Sequence, residues 1–194
     1  MEKLDVLYDH YKESNALSQS AQKQRSQYFC SICVLELLNL VFLIYPNEMV
    51  SAVSQVASSK YSVTIPIGIS VIQAALWVSI VYFLVQYYQK NIYIERQYIY
   101  LAGLEKDISG LIDSASFKRE GDNYLQGYPL VLDVIDFFYK WVIPVSFILI
   151  NTLKIVFEYM NHLHWALTLF DTICFLFLAV LTILYLKMIH KRKN

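Results

Sequence analysis

The 194-residue chain has only three cysteines, four prolines and five glycines. So few cysteines exclude a disulfide-stapled scaffold, and so little proline and glycine excludes collagen-like or low-complexity disordered sequence. Neither sign of charge is in excess, because 16 Lys and Arg balance 16 Asp and Glu. A general nucleic-acid binder carries a basic surplus, so direct nucleic-acid binding is not expected. Catalytic signatures are missing as well. The sequence has no Walker A loop, G-x-G-x-x-G, G-x-S-x-G or H-E-x-x-H, and neither an enzyme nor a bound cofactor is expected. The first 27 residues are polar and mixed in charge, with no short apolar run behind a basic start. A cleavable signal peptide is therefore not expected, and insertion into a membrane would use internal spans.

What the chain does have is apolar sequence in long blocks, 57% hydrophobic residues against 16% charged. A soluble domain of this length has no room to bury several runs of about 20 apolar residues, whereas a bilayer does. Four runs stand out, at 29–45, 63–87, 141–157 and 165–186. Each is near the ~20 residues that cross ~30 Å of hydrocarbon as helix, and barrel strands would be shorter and alternate in polarity. The expected fold class is all-α: a polytopic integral membrane protein with four transmembrane helices and a helical cytoplasmic hairpin between the second and third. The segments are then an N-terminal stretch 1–27, a first pair of spans 28–87, a loop 88–140, a second pair 141–187 and a basic tail 188–194.

Basic residues orient the spans. Lys3, Lys12, Lys23 and Arg25 precede the first span. Lys90, Arg96, Lys106, Lys118, Arg119 and Lys140 lie in the middle loop, and Lys187, Lys191, Arg192 and Lys193 follow the last span. The first and third loops hold only Lys60. The positive-inside rule puts both termini and the middle loop in the cytoplasm. Aromatic rings at the span ends, among them Tyr28, Tyr45, Tyr87, Trp141 and Trp165, suit the headgroup layer as anchors.

In the loop, Leu101, Leu104, Ile108, Leu111 and Ile112 recur at helical spacing opposite Glu105, Lys106 and Asp107, which extends the second span as helix towards residue 114. A polar turn follows at 116–123, and an apolar stretch from Leu130 to Tyr139 returns to the third span. Such a hairpin has too small a core to stand alone, so it should pack on the N-terminal segment or on another copy. That segment has its own weak helical pattern at Leu4, Leu7, Tyr11 and Leu17.

Polar residues inside the spans are the candidate functional residues. They are Glu36 and Asn39 in the first, Gln73 in the second, Asn151 and Lys154 in the third and Asp171 in the fourth. A charge at the bilayer centre costs roughly 2.5–3.5 kcal/mol on insertion scales, so such groups face protein or water. Counting ~1.5 Å per residue from the cytoplasmic side, Glu36 lies at about 10 Å, Lys154 at about 20 Å, Gln73 at about 21 Å and Asp171 at about 22 Å. Lys154 and Asp171 are thus expected to pair, with the Gln73 amide within reach. A structural salt bridge, or Lys154 snorkelling outward, is the plainer reading. Glu36 has no basic residue at its depth. It could be protonated, bonded to another span, or part of an acidic ring lining a pore in an oligomer, which would favour cations.

Other candidates are weaker. Cys30 and Cys33 form a C-x-x-C at helical spacing inside a span, without a second pair, and read as buried small hydrophobes. His162 and His164 flank Leu163 with only Glu158 near, too little for a metal site. Asp133 and Asp136, one turn apart, read as a solvated edge.

The run Phe117-Lys118-Arg119-Glu120-Gly121, followed by Tyr124 and Tyr128-Pro129 before a span, resembles small multi-pass bacterial proteins, some of which act as transmembrane effectors of phage-defence systems. The resemblance implies an inner-membrane protein that stays silent until a soluble sensor releases it, then damages the membrane. It makes Lys118, Arg119, Glu120 and Tyr124 the expected partner-binding residues. An oligomeric pore-forming effector is the first expectation, with the lipid bilayer, further copies of the chain and a soluble cytoplasmic sensor as partners. A non-catalytic membrane scaffold binding a soluble partner is the second. A small transporter comes third, because no internal repeat is evident and Pro66 and Pro144 lie near span starts rather than at the midplane.

Overall fold

The computed structural model describes residues 2–61, 69–112, 130–160 and 165–193, and all of its regular structure is helical. Helix α1 covers Glu2–Ile44, α2 Pro46–Tyr61, α3 Ile69–Leu111, α4 Leu130–Phe137, α5 Ile143–Met160 and α6 Trp165–Lys193, with a π-helical turn at Phe138–Val142 between α4 and α5. Four stretches are long and apolar enough to cross a membrane: Lys3–Ile44, Ser70–Leu111, Asp133–Met160 and Trp165–Ile189. This is the build of a multi-pass membrane protein.

Three features depart from the sequence reading. The N-terminal segment and the first span form one unbroken helix rather than a tail and a span. The stretch after the first span, read as a loop, is helix α2. Its start is set locally: Pro46 has no N–H to continue the ladder of α1, and its fixed φ suits the first helical position. Tyr45 donates its backbone N–H to the Val41 carbonyl at 2.9 Å, and Met49 donates to the Tyr45 carbonyl at 3.1 Å, so one helix closes as the next opens. Glu48 in the first turn and Lys60 in the last complement the helix dipole of α2. Finally, the fourth apolar helix continues past Lys187 to Lys193. The polar turn at 116–123, with Pro66, Gly68, His162 and His164, lies outside the described residues.

The chain divides into two compact units, Met1–Tyr28 with Gln86–Lys140, and Phe29–Val85 with Trp141–Asn194. In the first, the early part of α1 packs on the later part of α3. Tyr11, Leu101, Leu104 and Ile108 are buried together, and Leu4 and Leu7 pack against them. The Tyr11 hydroxyl donates to Glu105 Oε1 at 3.0 Å, and Gln22 Nε2 donates to the Tyr98 hydroxyl at 3.0 Å. The N-terminal segment is thus the surface on which this part of the middle loop packs. Inward positions on α3 recur at intervals of three, four or seven residues, at Tyr87, Asn91, Ile94, Leu101, Leu104 and Ile108, the spacing of one helix face.

The turn before α5 begins at the end of this unit, with Phe138, Tyr139 and Lys140. Pro144 lacks the N–H that would bond the carbonyl four residues earlier, and a π turn is one way a helix absorbs such a gap. Within it the Tyr139 carbonyl accepts the Tyr87 hydroxyl at 2.6 Å, and the Arg25 guanidinium lies 4.4 Å from the centre of the Tyr139 ring. Lys140 is buried and pairs with Glu95 and with Asp136, the latter at 2.6 Å. Asp136 is therefore half-buried in an ion pair rather than part of a freely solvated edge.

Candidate functional site: a buried charge cluster

The second unit buries a set of polar side chains among apolar ones such as Ile32, Trp77, Ile80 and Leu178. Val34, Leu37, Val71, Val78, Leu149, Leu153, Ile173 and Leu176 point outward from it, while Glu36, Asn39, Gln73, Asn151, Lys154, Glu158, Thr168 and Asp171 are buried. An apolar exterior around buried charges is unfavourable in water and natural in lipid.

Helical spacing gathers these groups. On α5, Asn151, Lys154 and Glu158 follow intervals of three and four, so they share one face. Their neighbours Thr152, Leu153, Val156 and Phe157 are exposed on the other side. On α6 Asp171 sits one turn beyond Thr168, and on α1 Glu36 and Asn39 are one turn apart.

Lys154 is the hub. Its Nζ lies 3.0 Å from Asp171 Oδ2 and 3.2 Å from Glu158 Oε1, and 4.5 Å from the centre of the Trp77 ring on α3. Lys154, Glu158 and Asp171 are 2%, 2% and 0% exposed. The ammonium thus sits between two carboxylates and an aromatic face, and it does not snorkel. The pairing with Asp171 is the one that span depth predicts. Among the described residues, what reaches Lys154 from α3 is the Trp77 indole; Gln73 is buried one turn earlier on the same face.

Glu36 is bonded to another span. Asn151 Nδ2 donates to Glu36 Oε1 at 2.6 Å and also lies 2.9 Å from the Phe147 carbonyl. Glu36 is 5% exposed, so it turns inward within one chain. Asn39 is fully buried, and neither of its amide atoms has a hydrogen-bond partner among the described residues. Asn151 Oδ1 is likewise buried without a hydrogen-bond partner among the described residues, whereas Glu158 Oε1 has the Lys154 ammonium at 3.2 Å.

Two members were missed from sequence, Glu158 and Trp77. The signal for Glu158 was its i, i+4 spacing from Lys154, hidden because the span was ended at residue 157. Trp77 carried no signal beyond an apolar span. Of the other candidates, Cys30 and Cys33 are free thiols on the outer face of α1, not buried, and Cys174 is half-buried. Lys118, Arg119, Glu120 and Tyr124 lie outside the described residues.

Chemically, the cluster joins α1 to α5 through Glu36 and Asn151, and joins α3, α5 and α6 at Lys154. Two carboxyl groups face one ammonium in a low-dielectric interior, and a third, Glu36, is held by Asn151. Such an arrangement ties spans together, and it also offers a stepping stone for a cation. No family model, curated protein or solved structure matches this chain.

Proposed function

We propose that this protein is an inner-membrane effector that lets ions cross, or otherwise breaches the membrane, when a soluble partner engages its cytoplasmic part. The observation that carries the reading is the set of charged side chains sunk inside a membrane-spanning unit with an apolar exterior. Such groups cost energy to place there and commonly mark ion pathways. In the resting state Lys154 holds Asp171 and Glu158, which closes the path to cations.

The positive-inside distribution of lysine and arginine supports both termini and residues 88–140 on the cytoplasmic side. The resemblance around residues 117–129 supports a bacterial phage-defence setting, assembly of several copies, and a sensor contact at Lys118, Arg119, Glu120 and Tyr124. The inward Glu36–Asn151 bond favours a path within each copy over an acidic ring between copies.

Membrane potential in bacteria expressing the protein tests this reading. Depolarisation on induction, altered by Glu36→Gln or Lys154→Met at equal membrane abundance, is the expected outcome. Unchanged potential even when the partner is co-expressed would overturn it. A non-catalytic scaffold would then be the better reading, favoured by the full internal burial of the Lys154 pair, which a simple brace also requires.

A further inference from the structure

Helix α4 and the start of the π turn expose their apolar side. Leu130, Val131, Val134, Ile135, Phe137 and Phe138 are all exposed, the first three at 81%, 69% and 65%. Asp133, Asp136 and Lys140 are three and four residues apart and so share the other side. That side is held against the protein, because Lys140 is buried and pairs with Asp136 and with Glu95 on α3. Asp133, nearer the start of α4, is exposed. Helix α1 in the same unit presents Lys12, Glu13 and Lys23 outward, as a helix in water does. A contiguous apolar face like that of α4 marks a surface that something covers.

The cover follows from what comes next in the chain. The helical stretch Asp133–Met160 is apolar enough to cross a membrane as one piece. Further along it, Val145, Leu149 and Leu153 on α5 are exposed in their turn, and they belong to the apolar exterior that suits lipid. The exposed side chains of α4 therefore lead into a lipid-facing run without a polar interval. At ~1.5 Å per residue the 28 residues of the stretch reach about 42 Å. That is the thickness of a bilayer with its headgroup layers, ~40–45 Å, rather than of the ~30 Å hydrocarbon alone. The surplus belongs to the α4 end.

We propose that α4 is seated in the leaflet where the third span begins, its apolar side against lipid and its polar side held on α3 by the ion pairs of Lys140. The third crossing then starts near Asp133 rather than at Trp141, with the Asp133 carboxylate at the water boundary. Lys140, Glu95 and Asp136 form a second charge cluster, at headgroup depth, whose work is to keep the polar side of α4 turned away from lipid. The seat rests on the membrane spans and not on the ion path, so either can fail without the other.

The test uses the full chain with Cys30, Cys33 and Cys174 replaced by alanine, in nanodiscs of phosphatidylethanolamine and phosphatidylglycerol. Lys12→Cys, Leu130→Cys, Val134→Cys, Phe138→Cys and Leu149→Cys are made one at a time and given a nitroxide spin label. Electron paramagnetic resonance then compares collisions with oxygen, which concentrates in hydrocarbon, against collisions with a water-soluble nickel chelate. The balance should favour nickel at Lys12→Cys and oxygen at Leu149→Cys. From Leu130→Cys through Val134→Cys to Phe138→Cys it should shift steadily towards oxygen. A Val134→Cys label as open to nickel as Lys12→Cys, with Leu149→Cys still in hydrocarbon, overturns the seat and leaves the spans. A Val134→Cys label shielded from both reagents and broadened by a neighbouring label also overturns it, and makes a second copy the cover. A Leu149→Cys label in water would remove the third span and the seat together.

Discussion

Lys154 and Asp171 face each other at 3.0 Å, both essentially sealed from the surroundings, on two consecutive membrane-spanning helices. Breaking a buried pair by removing one partner commonly costs ~3–5 kcal/mol, because the remaining charge stays buried alone, whereas apolar replacement of the whole group is often neutral. Lys154→Met should therefore lower the thermal midpoint of the detergent-solubilised protein steeply. The triple change Lys154→Met, Glu158→Leu, Asp171→Leu should recover most of the loss. Equal damage from the single and triple variants, read by tryptophan-monitored melting, would contradict this account.

The Glu36–Asn151 bond gives a second contrast. Glu36→Gln keeps an oxygen to accept from Asn151, so stability should change little. Asn151→Ala removes the donor and leaves Glu36 buried without it, at an expected cost of ~1–3 kcal/mol or more for a charged group. Melting curves of the two variants in the same detergent decide the order.

In the other unit, Tyr11→Phe deletes one buried hydroxyl bond to the Glu105 carboxylate and should cost about 1.5–3 kcal/mol. Tyr11→Ala also opens the packing with Leu101, Leu104 and Ile108 and should cost roughly 3–5 kcal/mol, the range for losing a buried aromatic side chain. Hydrogen exchange followed by mass spectrometry should show faster exchange at residues 2–28 and 86–111 in the alanine variant. Exchange that speeds up only elsewhere would count against the packing described.

Orientation is open to thiol labelling. With Cys30, Cys33 and Cys174 replaced by alanine, Lys60→Cys should react with a membrane-impermeant maleimide in intact spheroplasts. Lys118→Cys should react only after permeabilisation. The opposite pattern would reverse the topology derived from the basic residues.

Much of the helical architecture was legible because runs of about 20 apolar residues have few alternatives to membrane helix. The Lys154–Asp171 contact was legible for a related reason: charges in such runs are rare, and equal depth on adjacent spans leaves little choice of partner. Glu36 with Asn151 was harder. Depth counted along the chain depends on where a span begins, and an unbroken helix from Glu2 to Ile44 shows no such beginning in its backbone. Helix α2 carried its signals in Pro46, Glu48 and Lys60, but weak apolar content masked them. The π turn at Phe138–Val142 left only Pro144 as a trace, and a proline near a span start predicts a break without saying how the helix absorbs it.

The two polar contacts of the interior also differ in when the growing chain can make them. Lys154 meets Glu158 within its own helix and Asp171 only 17 residues later, so the last hairpin can enter the bilayer with its ammonium already neutralised. Glu36 waits for Asn151, 115 residues downstream. The first span must therefore be threaded and held with its carboxyl unmatched while more than half of the polypeptide is still being made. That interval makes the nascent first span the point at which the insertion machinery or a holding factor matters most, and at which a stalled ribosome would leave the least stable product.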